Sequence, residues 1–123
     1  MILQTDTICA LITPPGRGAI GVIRISGTKT FEIISKIFMP ARKNISTSEF
    51  EHQHIYFGKI VDQKDIIDEV LVSIFKAPAT YTGEDVAELS CHGSGYIRQR
   101  ILQLIMQSGA VMAKPGEFTM RAY

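Results

Sequence analysis

The sequence predicts an α+β domain, a mixed β-sheet with helices packed on it. Two observations carry that prediction. Short runs of alternating or continuously apolar residues are bounded by Gly, Pro and Asp, which is strand patterning. Between and after them lie two segments whose apolar residues recur at helical spacing. With 123 residues the chain reads as one domain, residues 1–123, able to bury about two-thirds of its unfolded surface without covalent staples.

Thr7 to Thr13 is a short apolar run stopped by Pro14 and Pro15, and suits a buried first strand. A turn at Gly16 to Gly18 leads into a second strand over Ala19 to Ile25. There Ile20, Val22 and Arg24 share one face, and Gly21, Ile23 and Ile25 the other. Arg24 therefore interrupts an apolar face and needs a partner; an ion pair at a sheet edge and a ligand contact both satisfy it. Thr28 reads as the N-cap of a helix over Lys29 to Phe38, with Phe31, Ile34 and Ile37 as its buried stripe. Pro40 ends it, and the polar run Ala41 to Glu51 reads as a dispensable surface loop. His54 to Val61 and Ile67 to Phe75 form a hairpin about Asp62 to Asp65. The second run, apolar on both faces, belongs inside the sheet. A second helix over Tyr96 to Gln107 buries Ile97, Ile101, Leu104 and Ile105 and ends at Gly109. A strand at Ala110 to Ala113 follows. Pro115 to Glu117 then open a helix that Tyr123 leaves unfinished, so the chain reads as a piece of a longer protein, with its helices on one side of the sheet.

The function classes narrow quickly. A formal net charge of +1, from 13 basic and 12 acidic residues, gives no overall field for nucleic acid, so RNA contact requires a local patch; Arg98, Arg100, Lys114 and Arg121 are the candidates. Cys9 and Cys91 sit in apolar runs and read as reduced, buried thiols of a cytoplasmic protein. No apolar run reaches the length of a membrane span. His52 and His54 lack further ligands at useful spacing, so they read as surface histidines and no metal is expected. Gly16, Gly18 and Gly21 spell the dinucleotide fingerprint, yet the last glycine falls in a β-branched run instead of a helix. The chain carries no GxxxxGK[ST] run for a nucleoside triphosphate.

The most informative stretch is TYTGEDVAELSCHGSG, Thr80 to Gly95. Along its strand Ala87, Leu89 and Cys91 face one way, and Glu88, Ser90 and His92 the other. The strand runs into Gly93, Ser94 and Gly95, whose backbone N–H groups gather beside the polar row at a helix start and suit a small polar ligand. The same alternation suits an ordinary half-solvated strand. Cys91 and His92, being adjacent, point apart and do not make a catalytic dyad; no catalytic residue is assigned.

Three blocks carry a resemblance: DTICALITPPGRGAIGVIRISG, IDEVLVSIFKAPATYTGEDVAELSCHG and AKPGEFTMRAY. In this order they are similar to the N-terminal domain of the bacterial and organellar tRNA modification GTPases, the MnmE or TrmE family. The resemblance implies a fold like the folate-binding domain of aminomethyltransferases and a constitutive homodimer. It also implies binding of 5-formyltetrahydrofolate as a one-carbon donor analogue. Arg24 matches the family's arginine and Glu88 its second glutamate among the folate contacts; a further family lysine lies beyond this chain. The resemblance further implies a parent in which a helical domain and a GTPase domain follow, with GTP, magnesium and potassium bound there, and which works with an FAD-dependent partner protein on the wobble uridine of tRNA; this stretch alone is not expected to be catalytic. Ser94 stands where the family has a glycine, and Met120 where it has a polar residue. A purely structural dimerisation module is the competing reading.

Overall fold

The computed structural model describes residues 6–13, 20–92 and 94–122. The expected turn at Gly16 to Gly18 and the glycine at position 93 lie outside them. The described residues form a seven-stranded sheet in the order β3-β4-β5-β6-β2-β1-β7. Its strands are β1 (Ile8–Leu11), β2 (Gly21–Ser26), β3 (Phe38–Pro40), β4 (His54–Asp62), β5 (Asp65–Phe75), β6 (Val86–Cys91) and β7 (Val111–Met112). Neighbours are antiparallel except β1 with β7, whose parallel pairing makes the sheet mixed.

Helices α1 (Thr30–Ile37) and α2 (Gly95–Gln107) pack on one face. The core between them and the sheet is built from Ile33, Ile34 and Ile37 of α1 and Ile101, Leu102 and Ile105 of α2. These meet the inward rows of β2, β5 and β6. The alternation expected of the sixth strand holds: Ala87, Leu89 and Cys91 are fully buried, and Glu88, Ser90 and His92 are not. Each isoleucine side chain so buried contributes about 1.5–3 kcal/mol.

Several expectations are corrected. Strand β2 lies between β1 and β6, so Arg24 is not at a sheet edge. Helix α1 begins at Thr30 with Lys29 at the N-cap, and Thr28 caps nothing. The Lys29 N–H instead donates to Thr7 Oγ1 at 2.9 Å, a tertiary cap from the start of the chain. In α1 the buried stripe takes in Ile33, and Phe31 is half-buried; in α2 it takes in Leu102, while Ile97 and Leu104 are half-buried. Gly21 opens β2 and not a helix, which removes the dinucleotide reading. A Cβ there would run into the Arg98 side chain.

The loop after β3 is not dispensable. Phe50 at its end is 2% exposed. It stacks on Tyr56 at 3.9 Å between ring centroids and meets Phe38 edge-on at 6.2 Å.

The helices do not all share one side as expected: the third, α3 (Glu117–Ala122), goes to the other face of the sheet, where Phe118 packs over Arg24. There the register lines up Ile8, Ser26, Val86 and Phe75 in one row. The next row holds Ala10, Arg24, Glu88, Ser73 and Ile55, and the one after it Val22, Ser90, Leu71 and Phe57. The first row is covered: Ile8, Ser26 and Val86 are buried. The third is open, with Leu71 and Phe57 exposed.

Candidate functional site

Arg24 and Glu88 stand directly opposite each other on β2 and β6. Arg24 Nε donates to Glu88 Oε2 at 2.9 Å, and both side chains keep about a quarter or less of their surface in solvent. The guanidinium lies between two rings, 5.4 Å from the Tyr81 centroid and 5.2 Å from that of Phe118. A planar delocalised cation is attracted to both ring faces. Around this pair Phe75, Thr80, Tyr81 and Val86 close a cleft of about 100 Å³.

The walls are held by a buried polar chain. Thr82 Oγ1 and Ser26 Oγ lie 2.8 Å apart, and Ser26 Oγ donates to Glu84 Oε1 at 2.8 Å. Arg121 Nη1 donates to Glu84 Oε1 at 3.1 Å and to the Asp6 carbonyl at 2.7 Å, while Nη2 donates to Glu117 Oε2 at 3.0 Å. Arg121 is thus the buried post between the 80–84 loop, α3 and the start of β1. The backbone N–H of Lys114 and the Arg121 guanidinium hold the Glu117 carboxyl below its ordinary range, against an opposing push from burial. Tyr81 Oη and Thr119 Oγ1, 3.2 Å apart, tie the loop to α3 directly.

The structure therefore brings the two expected site residues together, but not beside the glycine-rich helix start. The cleft opens from Glu88 toward Val86 and the preceding loop. At the other end of β6 the polar groups have local partners: the His92 N–H donates to Asp68 Oδ2, and Ser94 Oγ accepts the Ile97 N–H. Cys91 and His92 do point apart, one buried and one exposed. Burial raises the Cys9 thiol to about 11. The Cys91 thiol is raised to about 12 by burial, with Asp68 adding to the rise and Arg98 opposing it. Both stay protonated at neutral pH. His52 Nδ1 accepts the Lys76 N–H at 2.8 Å, and His54 Nε2 faces Glu51 at 3.2 Å. Among the described residues no group of three or more His, Cys, Asp or Glu is placed to hold a metal.

The local basic patch that RNA contact through Arg98, Arg100, Lys114 and Arg121 would need, already disfavoured by the near-zero net charge, does not form. Arg98 and Arg121 are buried, Arg100 pairs with Asp65 at 3.4 Å, and only Lys114 is exposed. Tyr81 and Phe118 are the site residues that sequence reasoning missed. Both lie in the blocks that carry the resemblance, but nothing in their local spacing shows that two aromatic rings 37 residues apart meet over one arginine.

Comparison with known proteins matches residues 7–123 to the family described as GTP-binding protein TrmE N-terminus. The chain belongs to the TrmE N-terminal family. Proteins named tRNA modification GTPase MnmE share 50% identity with it in Bacteroides thetaiotaomicron and 52% in Cytophaga hutchinsonii, over 98% of this chain in each case. The relative of that name in Carboxydothermus hydrogenoformans is 45% identical, again over 98%. The chain spans about a quarter of the length of these relatives. Within the TrmE N-terminal family, then, this sequence builds a mixed α+β domain with a braced arginine–glutamate pair on its outward sheet face. No helix among its described residues is long and apolar enough to cross a membrane.

Proposed function

We propose that this domain holds a reduced folate, 5-formyltetrahydrofolate or a close relative, and dimerises, in the service of tRNA wobble-uridine modification by a GTPase of which it is a part. The observation that supports this reading best is the facing pair Arg24 and Glu88, set between Tyr81 and Phe118 at the mouth of a cleft. A carboxylate accepts two parallel N–H bonds from the amidine edge of a pterin, and a guanidinium donates to formyl, carbonyl or carboxylate oxygens. The rings offer faces for a flat heterocycle. A cleft of about 100 Å³ is smaller than a ligand of this size needs, since drug-sized sites run to roughly 300–1,000 Å³. The ligand would therefore part Arg24 from Glu88 and take over both sets of hydrogen bonds. For a pair that keeps about a quarter of its surface in solvent, that exchange costs about 1 kcal/mol. When bound, the folate supplies a one-carbon unit; the residues here bind and orient it. The likeness of the fold to aminomethyltransferase folate domains belongs to the same proposal.

Dimerisation fits the open part of the outward face, where Ile20, Ile55 and Leu71 are exposed and a second copy would cover them. In the same proposal the parent binds GTP, magnesium and potassium outside this domain and acts with a separate FAD-dependent partner protein. A cytoplasmic location is part of the proposal.

Calorimetric titration with 5-formyltetrahydrofolate tests the reading. Saturable binding is expected, weakened roughly 30- to 1,000-fold in Glu88→Ala, the equivalent of about 2–4 kcal/mol for buried charge-assisted hydrogen bonds. Equal affinity in that variant removes Glu88 from the site. Absence of binding together with a dimer by sedimentation leaves a structural dimerisation module.

A further inference from the structure

A second cleft, of about 630 Å³, lies at the β3–β4 edge of the sheet, apart from the Arg24–Glu88 site. Its apolar lining is Met39, Phe57 and Ile45, with Met39 55% and Phe57 49% exposed. Gly58 lets β3 and β4 close beneath it, since a Cβ at that position would strike the Met39 carbonyl and the Phe38 ring. Three cations line it as well, Arg42, Lys43 and Lys59, and no aspartate or glutamate does. The acid facing Lys59 in the register is Glu69, yet the two make no ion pair. None of the three cationic side chains has an ion-pair partner among the described residues, whereas Arg24, Arg100 and Arg121 all do.

We propose that this cleft is a docking site for a single-stranded segment of RNA, with phosphates held by Arg42, Lys43 and Lys59 and a base laid on the Phe57 and Met39 floor. Unpaired cations around an apolar, aromatic floor are the combination by which proteins hold unpaired nucleotides, the charges tracking the backbone and the ring stacking a base. With a net charge of only +1, such a site has to be local, and here the charges are concentrated on one short loop and the strand beside it. The volume admits a nucleotide, and an anion without a flat apolar part would leave the floor unused. The choice of RNA as occupant rests on the reading that this domain serves tRNA modification. The folate site is on other residues, so the two proposals fail separately.

The test is fluorescence anisotropy of the 123-residue chain with a labelled anticodon stem-loop RNA, titrated over a range of salt. Replacing Arg42, Lys43 and Lys59 together by alanine is expected to weaken binding about tenfold or more near 0.1 M salt. The slope of log affinity against log salt should fall by about 2, as expected for three lost contacts to single-stranded phosphates. Phe57→Ala should weaken binding several-fold and leave the slope unchanged. Folate affinity, circular dichroism and dimer mass should be unchanged in the triple variant, which separates a lost contact from a lost fold. No RNA binding by the wild-type chain, or equal binding by the triple variant, overturns the proposal. Full displacement of the RNA by a matching concentration of inorganic phosphate or of an acidic peptide overturns it too, because the cleft would then be a general anion site.

Discussion

At the corner where β1, β2 and β6 meet, the charged groups are braced: Arg24 on Glu88, and Arg121 on Glu84, Glu117 and the Asp6 carbonyl, under a lid made by the 80–84 loop and α3. At the β3–β4 edge Arg42, Lys43 and Lys59 stand without ion-pair partners among the described residues, over exposed Met39 and Phe57. Both regions border the same outward sheet face, yet one is finished by the chain itself and the other is left to be finished by something else. Pairing makes the first rigid and selective; the absence of pairing makes the second sensitive to salt and to any polyanion.

The braced corner depends most on Arg121. Arg121→Met strips a buried cation from two carboxylates and a carbonyl, and about 3–5 kcal/mol of stability should go with it in urea denaturation, with folate binding lost in parallel. A loss under about 1 kcal/mol would mean that the corner is braced by its apolar contacts alone. Phe118→Ala and Tyr81→Ala each remove one ring from Arg24. Each should lower folate affinity several-fold, in keeping with about 1 kcal/mol for a cation–π contact, while RNA binding is untouched.

Acid sharpens the contrast further. Since Glu117 titrates below its ordinary value of 4.5, its contribution is fully present above about 4.5 and is lost as pH falls through the lower folded value. Stability should therefore drop as pH falls below about 4.5, by an amount that shrinks in Glu117→Gln. A drop equal in both proteins would assign the acid sensitivity to other carboxylates. The smallest effect belongs to the open edge. Replacing Arg42, Lys43 and Lys59 by alanine should change thermal stability by no more than about 0.5 kcal/mol, because none of them is ion-paired among the described residues.

Much of this was legible before the structure. The alternation in VAELSC told which side of β6 is core, and the hairpin about Asp62 to Asp65 followed from two apolar runs and a polar interval. What escaped was set by tertiary contact. A three-residue strand such as β3 has too little pattern to see, and a helix capped by Thr7 from 22 residues away leaves no local cap to find. The buried arginines were partly readable. Arg98 falls in helical phase with Ile101, Leu102 and Ile105, and Arg121 follows Glu117 by one turn. Reading them as surface charge weighed residue type above position. For the candidate site, Arg24 and Glu88 came from their place in strands and from the family resemblance. The rings over them came from a fold-level meeting of distant segments.

The hydrogen bond from Arg121 to the Asp6 carbonyl joins residues 115 positions apart. Closing so long a loop is entropically costly, and during synthesis Arg121 emerges after every strand of this sheet. The lid over Arg24 and Glu88 therefore assembles late. A ligand held there as proposed would meet a sheet already complete, so occupancy of that corner would report that all seven strands are in place.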